Sequence, residues 1–133
     1  YKREITLHAQ KQKIYIKGNE LKIKQVIIIF LDNALKYSSD KIEINISCSS
    51  ESAILSIKDY GIGIREEELE NIFERFYRVD KARSRETSGG TGLGLSIAKN
   101  IISLHNGKIN IKSVENIGTE IEVLFPLDEI KRK

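Results

Sequence analysis

The stretch SGGTGLGLS, from Ser88 to Ser96, crowds four glycines directly in front of a helix-like segment. Glycine lets the backbone approach an anion closely, and a helix start offers unpaired N–H donors with partial positive charge. The stretch therefore predicts a loop that wraps a polyphosphate, with a flexible linker between two helices as the alternative. No buried strand precedes it, and Leu95 follows Gly94 where a Walker A loop requires lysine, so neither of these phosphate loops fits.

A second glycine-rich segment, DYGIGI, runs from Asp59 to Ile64 at the end of a strand-like run. A buried carboxylate accepts a hydrogen bond from an exocyclic amine, and glycines beside it leave room for a flat ring. The segment predicts a site that reads adenine. The alternative is an ordinary turn in which Asp59 is a solvated cap.

A third group lies in LDNALKYSS, where Ile29, Asn33, Lys36 and Tyr37 fall on one stripe of a helix. The asparagine carboxamide is a neutral oxygen ligand suited to Mg²⁺, which keeps waters and substrate phosphates as its other ligands. The lysine would add positive charge against a phosphate. The alternative is a helix end that simply reaches water.

Period-2 and period-3.6 hydrophobic patterns predict the elements that must position these three groups. The predicted strands are Arg3–His8, Lys13–Lys17, Lys41–Ser47, Ala53–Lys58, Lys108–Ser113 and Thr119–Phe125. The predicted helices are Glu20–Tyr37 after an Asn19 N-cap, Arg65–Phe76, and Gly94 to a stop at Asn106–Gly107. The aperiodic, basic segment Tyr77–Gly89 is predicted to be a functional or disordered loop.

Most strands come as sequence-adjacent pairs, which favours antiparallel pairing over crossovers. The order of elements predicts an α/β two-layer sandwich, with one mixed, mostly antiparallel sheet and helices on one face. The length of 133 residues and 40% hydrophobic content suit a single domain over residues 1–133.

Composition excludes several classes of function. Cys48 is the only cysteine, so no internal disulfide or cysteine-rich metal cluster is possible. The net charge is +3, with basic and acidic residues interleaved along the chain, and the basic run Arg75–Arg85 has no interleaved stacking aromatics apart from Phe76 and Tyr77, so nucleic-acid binding is not expected. No apolar run is long enough to span a bilayer and no leader is visible, so we expect the chain to be soluble and cytoplasmic. We also expect it to be monomeric and to be a piece of a longer chain.

Together the motifs resemble those of the catalytic, ATP-binding domain of bacterial sensor histidine kinases, in the GHKL ATPase superfamily. NALKYS resembles the N box, DYGIGI the G1 box, IFERFYRVD the F box and GGTGLGLSIAK the G2 box; LHNGKI and NIGTEIEVLFP match the closing segment. The resemblance covers nearly the whole chain and implies a Bergerat-type sandwich that holds ATP beneath a mobile lid.

The resemblance also implies roles for individual residues. Asn33 would ligate Mg²⁺, Asp59 would bond the adenine amino group, and Thr119 would support that contact. Lys36 and Tyr37 would line the pocket. The remaining ATP-binding residues it implies are Gly61, Ile62, Gly63, Phe73, Arg75, Phe76, Tyr77, Arg78, Gly90, Thr91, Gly92, Leu93, Gly94 and Leu95.

Two positions depart from the family pattern. Ile29 stands where ATP-hydrolysing members have a glutamate that activates water, which argues against an efficient ATPase and leaves a kinase open. Tyr60 stands where a smaller or polar residue is usual. Neither His8 nor His105 is expected to accept a phosphoryl group, because both positions favour structural roles.

The function that the resemblance implies is transfer of the γ-phosphoryl group of Mg-ATP to a histidine on a helical dimerisation domain, then to a response regulator. That histidine would lie N-terminal to Tyr1. Two alternatives stay open, namely a serine kinase of the anti-sigma-factor type and a degenerate module that only binds nucleotide or docks a partner. The sequence leaves open whether the parent protein is anchored in a membrane.

Overall fold

The structure is a computed structural model, and it describes residues 4–9, 13–38, 40–69, 71–72 and 94–128. The strands are β1 (Ile5–Ala9), β2 (Ile42–Cys48), β3 (Ser52–Asp59), β4 (Lys108–Val114) and β5 (Gly118–Pro126). The helices are α1 (Glu20–Tyr37) and α2 (Gly94–Leu104), with a short 3-10 turn at Glu66–Glu68. None of the helices in these residues is long and apolar enough to cross a membrane.

The described strands form one sheet in the order β1-β2-β3-β5-β4. Three of its pairings are antiparallel, and only β1 and β2 run parallel. The predicted mixed, mostly antiparallel α/β sandwich is thus confirmed.

The pairing of the first strand corrects one expectation. The run Lys13–Lys17 forms no strand; within it Ile16 makes a single bridge to Leu127. The first strand therefore does not pair with its sequence neighbour but with β2, across the long helix α1. Parallel pairing needs such a crossover. Helix α1 is therefore held on the sheet by β1, which precedes it in the sequence, and β2, which follows it.

Both helices bury one apolar face against the same face of the sheet. The buried cluster consists of Val26, Phe30, Ala34, Ile42, Ile57, Ala98, Ile101, Ile102, Ile121, Val123 and Phe125. Its helical members recur at the three- and four-residue spacing of an amphipathic helix, and its strand members alternate. Burial of this shared face fixes where each helix end lies relative to the sheet.

Local signals set the helix ends. The Asn19 side chain accepts a hydrogen bond from the backbone N–H of Lys22, as predicted for an N-cap. At the end of α2, Asn106 adopts a left-handed φ of 58°, and the Gly107 N–H donates to the Ile102 carbonyl. This is a Schellman closure with asparagine, not glycine, in the left-handed position.

His105 ties the end of α2 to the start of α1. Its Nδ1 lies 2.8 Å from the Ile101 carbonyl oxygen, and its Nε2 accepts the Asn19 N–H at 3.0 Å. Since the carbonyl can only accept, the imidazole carries its proton on Nδ1. The ring also meets Phe125 edge to face. This arrangement supports the structural role that the sequence predicts for this histidine.

We expect His105→Ala to lower the free energy of unfolding by about 1–2 kcal/mol, because the Asn19 N–H loses its acceptor and Phe125 loses a ring contact. Urea denaturation measures this change. The exposed neighbour Ser103→Ala, whose backbone alone serves the Asn106 contact, is the matched control. Equal stability of both variants would show that the bridge carries no stability.

The predicted helix Arg65–Phe76 is only partly described. In its described part the structure has the 3-10 turn Glu66–Glu68 and turn conformation at Leu69 and Asn71–Ile72, with Ile72 buried, whereas residues 70 and 73–76 lie outside the described residues. Arg65 forms an ion pair with Glu68, with 3.3 Å between Nε and the carboxylate oxygen. The predicted loop Tyr77–Gly89 also lies outside the described residues.

Candidate functional site

A row of polar side chains closes one end of the apolar sheet face. Asp59 on β3 pairs in register with Thr119 on β5, which pairs with Ser113 on β4. Cross-strand partners point to the same face of a sheet, and the next row toward the centre holds only isoleucines. Asp59 and Thr119 are buried, with 8% and 9% of their surfaces exposed. Buried polar groups need partners, and this row supplies many of its own.

The Asp59 carboxylate accepts two backbone hydrogen bonds. The Gly61 N–H donates to Oδ1 at 2.9 Å, and the Thr119 N–H also donates to the carboxylate. Burial raises the pKa of Asp59 above its ordinary value, and these two donors offset the effect only in part. The ionised carboxylate therefore keeps unused lone pairs in a place where a further donor would be strongly favoured.

The glycine turn after Asp59 is pressed between α1 and the β4–β5 hairpin. A Cβ on Gly61 would lie 1.9 Å from the Tyr37 carbonyl oxygen, and one on Gly63, whose φ is +69°, would lie 2.2 Å from the Val114 carbonyl oxygen. Ile62 links both sides, since its N–H donates to Tyr37 O at 3.1 Å and its carbonyl accepts the Asn116 N–H. These two positions require glycine because the backbones themselves are in contact.

Helix α1 carries the remaining described residues of the predicted site. Asn33 is partly buried and lies one turn before Tyr37, the residue that touches the glycine turn. One turn earlier, Ile29 faces the start of α2, since a Cβ on Gly94 would lie 3.5 Å from its Cγ2. Asn33 thus stands between the glycine turn and the end of the predicted phosphate loop, along one helix.

Lys36 is already paired. Its Nζ lies 3.0 Å from a carboxylate oxygen of Asp32, one helical turn away. The lysine side chain is 22% exposed and the aspartate 57%, so this is a surface pair of small net worth. To reach a phosphate, as predicted, the lysine would exchange a weak partner for a more highly charged one.

Tyr60 turns away from the polar row. Its hydroxyl donates to a carboxylate oxygen of Glu43, and the ammonium groups of Lys41 and Lys58 lie 5.3 Å and 5.1 Å from its ring centroid. Glu43 and Lys58 pair on the sheet face opposite Asp59. The hydroxyl, the Lys41 and Lys58 charges all lower the pKa of Glu43, the hydroxyl most. The unusual tyrosine thus anchors the turn from the outer face.

The structure therefore brings Asp59, Gly61, Ile62, Gly63 and Thr119 together. It places Asn33, Lys36, Tyr37, Gly94 and Leu95 on the two helix segments beside them. The predicted site residues that lie outside the described residues are Phe73, Arg75, Phe76, Tyr77, Arg78, Gly90, Thr91, Gly92 and Leu93.

Sequence reasoning missed Ser113. Its Oγ lies within hydrogen-bond distance of the Ile64 N–H, the Gly118 carbonyl and the Thr119 hydroxyl. A signal existed, because Ser113 is the polar member of an otherwise apolar inward set, Ile109, Ile111 and Ser113. Its importance depends on β4 lying beside β5 in register, which the sequence pattern alone does not state.

Comparison with known proteins identifies relatives of this arrangement. A family model described as histidine kinase-, DNA gyrase B- and HSP90-like ATPase matches residues 18–129. The sensor histidine kinase YkoH of Bacillus subtilis is 46% identical over 125 residues, which are 94% of this chain and 27% of the relative. The histidine-protein kinase ArlS of Staphylococcus aureus is 47% identical over 86% of this chain and 26% of its own length.

Solved structures agree with this result. The mycobacterial sensor histidine kinase MprB superposes with a TM-score of 0.82 at 28% identity, covering 93% of this chain and 83% of the other. The catalytic domain of histidine kinase ThkA gives 0.78 at 29% identity, over 92% and 79% of the two chains. The chain spans about a quarter of the length of the curated relatives that it matches.

Proposed function

Because the chain belongs to the family of histidine kinase-, DNA gyrase B- and HSP90-like ATPases, we propose that it is the ATP-binding catalytic part of a sensor histidine kinase. It binds Mg-ATP and donates the γ-phosphoryl group to a histidine on a separate helical dimerisation domain of the same protein. A response regulator then takes the phosphoryl group from that histidine. We place the reaction in the cytoplasm, where ATP is available.

The observation that carries this proposal is the buried Asp59 carboxylate beside two obligatory glycines. The 6-amino group of adenine is a donor that the remaining carboxylate lone pairs would accept. The close backbone contacts at Gly61 and Gly63 hold the turn directly against α1 and the β4–β5 hairpin, which fixes the position of Asp59. Thr119 adds a second oxygen in the neighbouring strand, 9% exposed, so two oxygens would meet one edge of the base.

The triphosphate would extend from this turn along α1 toward the start of α2. Gly94 and Leu95 open α2, whose first N–H groups have no partner within the helix and favour anions. Lys36 would exchange its Asp32 partner for a phosphate oxygen. The roles proposed for Tyr37 and for the residues outside the described ranges follow from the family motifs alone.

Magnesium fits the donor set around Asn33. The carboxamide oxygen is a hard, neutral ligand, and the side chain stands on the partly buried stripe between the two ends of the proposed site. The described residues hold no cluster of three His, Cys, Asp or Glu side chains. The ion would therefore take Asn33 from this chain and its other ligands from phosphates and water, and it would supply charge neutralisation.

Transfer to a histidine requires no general base at position 29. Phosphoryl transfer depends mainly on in-line placement and charge neutralisation. Ile29 lies beside Gly94, at the contact between α1 and α2. Because His105 has both ring nitrogens engaged and His8 is exposed on β1, we assign the acceptor to another domain. The relatives, both described as histidine kinases, favour histidine over serine as the acceptor.

The experiment that tests this function uses the parent protein with γ-labelled ATP and magnesium. We expect acid-labile, base-stable phosphate on the protein, as a phosphohistidine gives. Asn33→Ala should reduce the gain in ATP affinity that magnesium provides by about tenfold, since the ion loses a ligand. Asn45→Ala, an asparagine on the outer face of β2, is the matched control. Acid-stable phosphoserine would overturn the histidine assignment and support the anti-sigma-type kinase.

A further inference from the structure

Ser113 makes three polar contacts that the proposed function does not use. Its Oγ lies 2.7 Å from the Ile64 backbone nitrogen, 3.1 Å from the Gly118 carbonyl oxygen and 2.8 Å from the Thr119 Oγ1. The side chain is partly buried at the end of the polar row, two strands from Asp59. A hydroxyl carries one proton and accepts two hydrogen bonds, so the three contacts fill its capacity.

Only one placement of protons satisfies all three contacts. The Ile64 N–H can only donate, so it takes one Ser113 lone pair. The Gly118 carbonyl can only accept, so it takes the Ser113 proton. The Thr119 hydroxyl must then donate its own proton to the second Ser113 lone pair. The Thr119 oxygen consequently has lone pairs, but no proton, to offer to a ligand.

Three backbone donors beside this end of the site are occupied as well. The Gly61 N–H and the Thr119 N–H donate to Asp59, and the Ile62 N–H donates to Tyr37 O. The two side-chain oxygens that remain for a ligand, on Asp59 and Thr119, are both acceptors. This wall therefore suits a ligand edge that donates and opposes one that accepts.

We propose that Ser113 is a specificity-determining residue, which fixes Thr119 as a hydrogen-bond acceptor and so selects 6-amino over 6-keto purine nucleotides. The inference rests on the proposed ATP site. An adenine amino group donates into the wall, whereas a keto oxygen at the same position faces lone pairs and finds no donor there. Ser113 does not touch the base and acts through Thr119.

The test compares ATP with inosine triphosphate, in which a keto oxygen replaces the 6-amino group and N1 carries a proton; like ATP, it has no 2-amino group. Calorimetry on the folded chain gives both affinities. In Ser113→Ala the Thr119 proton is released and can turn toward a keto oxygen. We expect the preference for ATP over inosine triphosphate to fall by about tenfold, the equivalent of one hydrogen bond, with ATP affinity changed much less.

Three variants isolate the cause. Ser113→Thr keeps the hydroxyl on a strand position and should retain the preference of the wild type. In a Thr119→Val background, Ser113→Ala should leave the preference unchanged, because no hydroxyl remains to reorient. Ser113→Cys, close in size but a weak hydrogen-bonding partner, replaces the alanine variant if that variant does not fold, and should relax the preference in the same direction.

The outcomes separate this inference from the function on which it rests. If the wild-type chain binds neither nucleotide, the proposed ATP site fails. If the wild type binds ATP, and Ser113→Ala weakens both nucleotides by the same factor, Ser113 is only a structural support for the turn and the inference is overturned. A relaxed preference that persists in the Thr119→Val background would overturn the route through Thr119.

Discussion

Asp59→Asn is expected to weaken ATP binding by more than tenfold and, at neutral pH, to make the unliganded chain more stable. The carboxamide presents one acceptor oxygen to the Gly61 and Thr119 N–H groups that the carboxylate serves, and turns a donor toward the base. The gain in stability arises because the substitution removes a buried negative charge. A change that harms function and helps folding distinguishes a ligand-binding group from a structural one.

The sign of the pH dependence follows from the raised pKa of Asp59 in the folded chain. Between its ordinary value of 3.8 and the raised value, the folded chain holds a proton that the unfolded chain has released. The free energy of unfolding therefore falls as pH rises through this window and is reduced above it. The free energy of unfolding of Asp59→Asn should exceed that of the wild type at neutral pH, and this difference should disappear as pH falls through the same window.

Thermal unfolding across pH and calorimetry with ATP measure the two effects on one sample. Asp40→Asn makes the same chemical change at an exposed position near the end of α1, so it should alter neither quantity. ATP affinity of the wild type should itself decline on acidification, because protonation of Asp59 removes the acceptor. Unchanged affinity in Asp59→Asn would remove the adenine assignment, and reduced stability would show that the carboxylate is a net structural contributor.

The sequence predicts those parts of the fold that are governed by local periodicity. Glu20–Tyr37 has an N-cap and a continuous apolar stripe; the predicted start agrees with the structure, and the end, predicted at about Tyr37, lies there. The run Lys13–Lys17 has the same alternation as a true strand but forms one bridge. Alternation shows that a segment could pair, whereas the partner is chosen by the packing of α1, which brings β1 to β2 instead.

The same limit applies to the site. Asp59 and its glycines could be proposed from the sequence because each is chemically unusual where it stands. Ser113 could not, since a serine in a strand becomes important only through the register that sets it beside Thr119. Tyr60 was recognised as unusual, but its direction follows from a partner, Glu43, that is seventeen residues away in sequence. A residue that is unusual within its own segment can be predicted from the sequence. A contact between side chains on different strands can be predicted only when the pairing and register of those strands are known.

Helix α1 is the common support of the whole site. Its last residue touches the glycine turn and its middle faces the start of α2. The distance between the ends proposed for adenine and for phosphate is therefore fixed by less than three turns of one rigid helix, from Ile29 to Tyr37, or about 12 Å of axial rise. Any change that separates the turn from this helix should disturb both ends of the site together.

Gly61→Ala makes that change and is expected to lower the free energy of unfolding by about 3 kcal/mol or more and to abolish measurable ATP binding. The added Cβ would lie 1.9 Å from Tyr37 O, 2.7 Å from Tyr37 C and 2.9 Å from the Ser38 Cα. All three are backbone atoms and no side chain can rotate away. The turn must therefore leave the helix and lose the hydrogen bond from Ile62 N–H to Tyr37 O.

Gly94→Ala is the matched control, because it adds the same methyl group where the nearest atom, the Ile29 Cγ2, lies at an ordinary 3.5 Å. Alanine also favours a helix over glycine by about 0.5–1 kcal/mol, so this variant should unfold at the same or a higher denaturant concentration. Chemical denaturation of both variants makes the comparison. Should Gly61→Ala unfold with the wild-type midpoint, the contact between α1 and the turn would not be what fixes the site, since a clash with backbone on this scale cannot be absorbed without moving one of them.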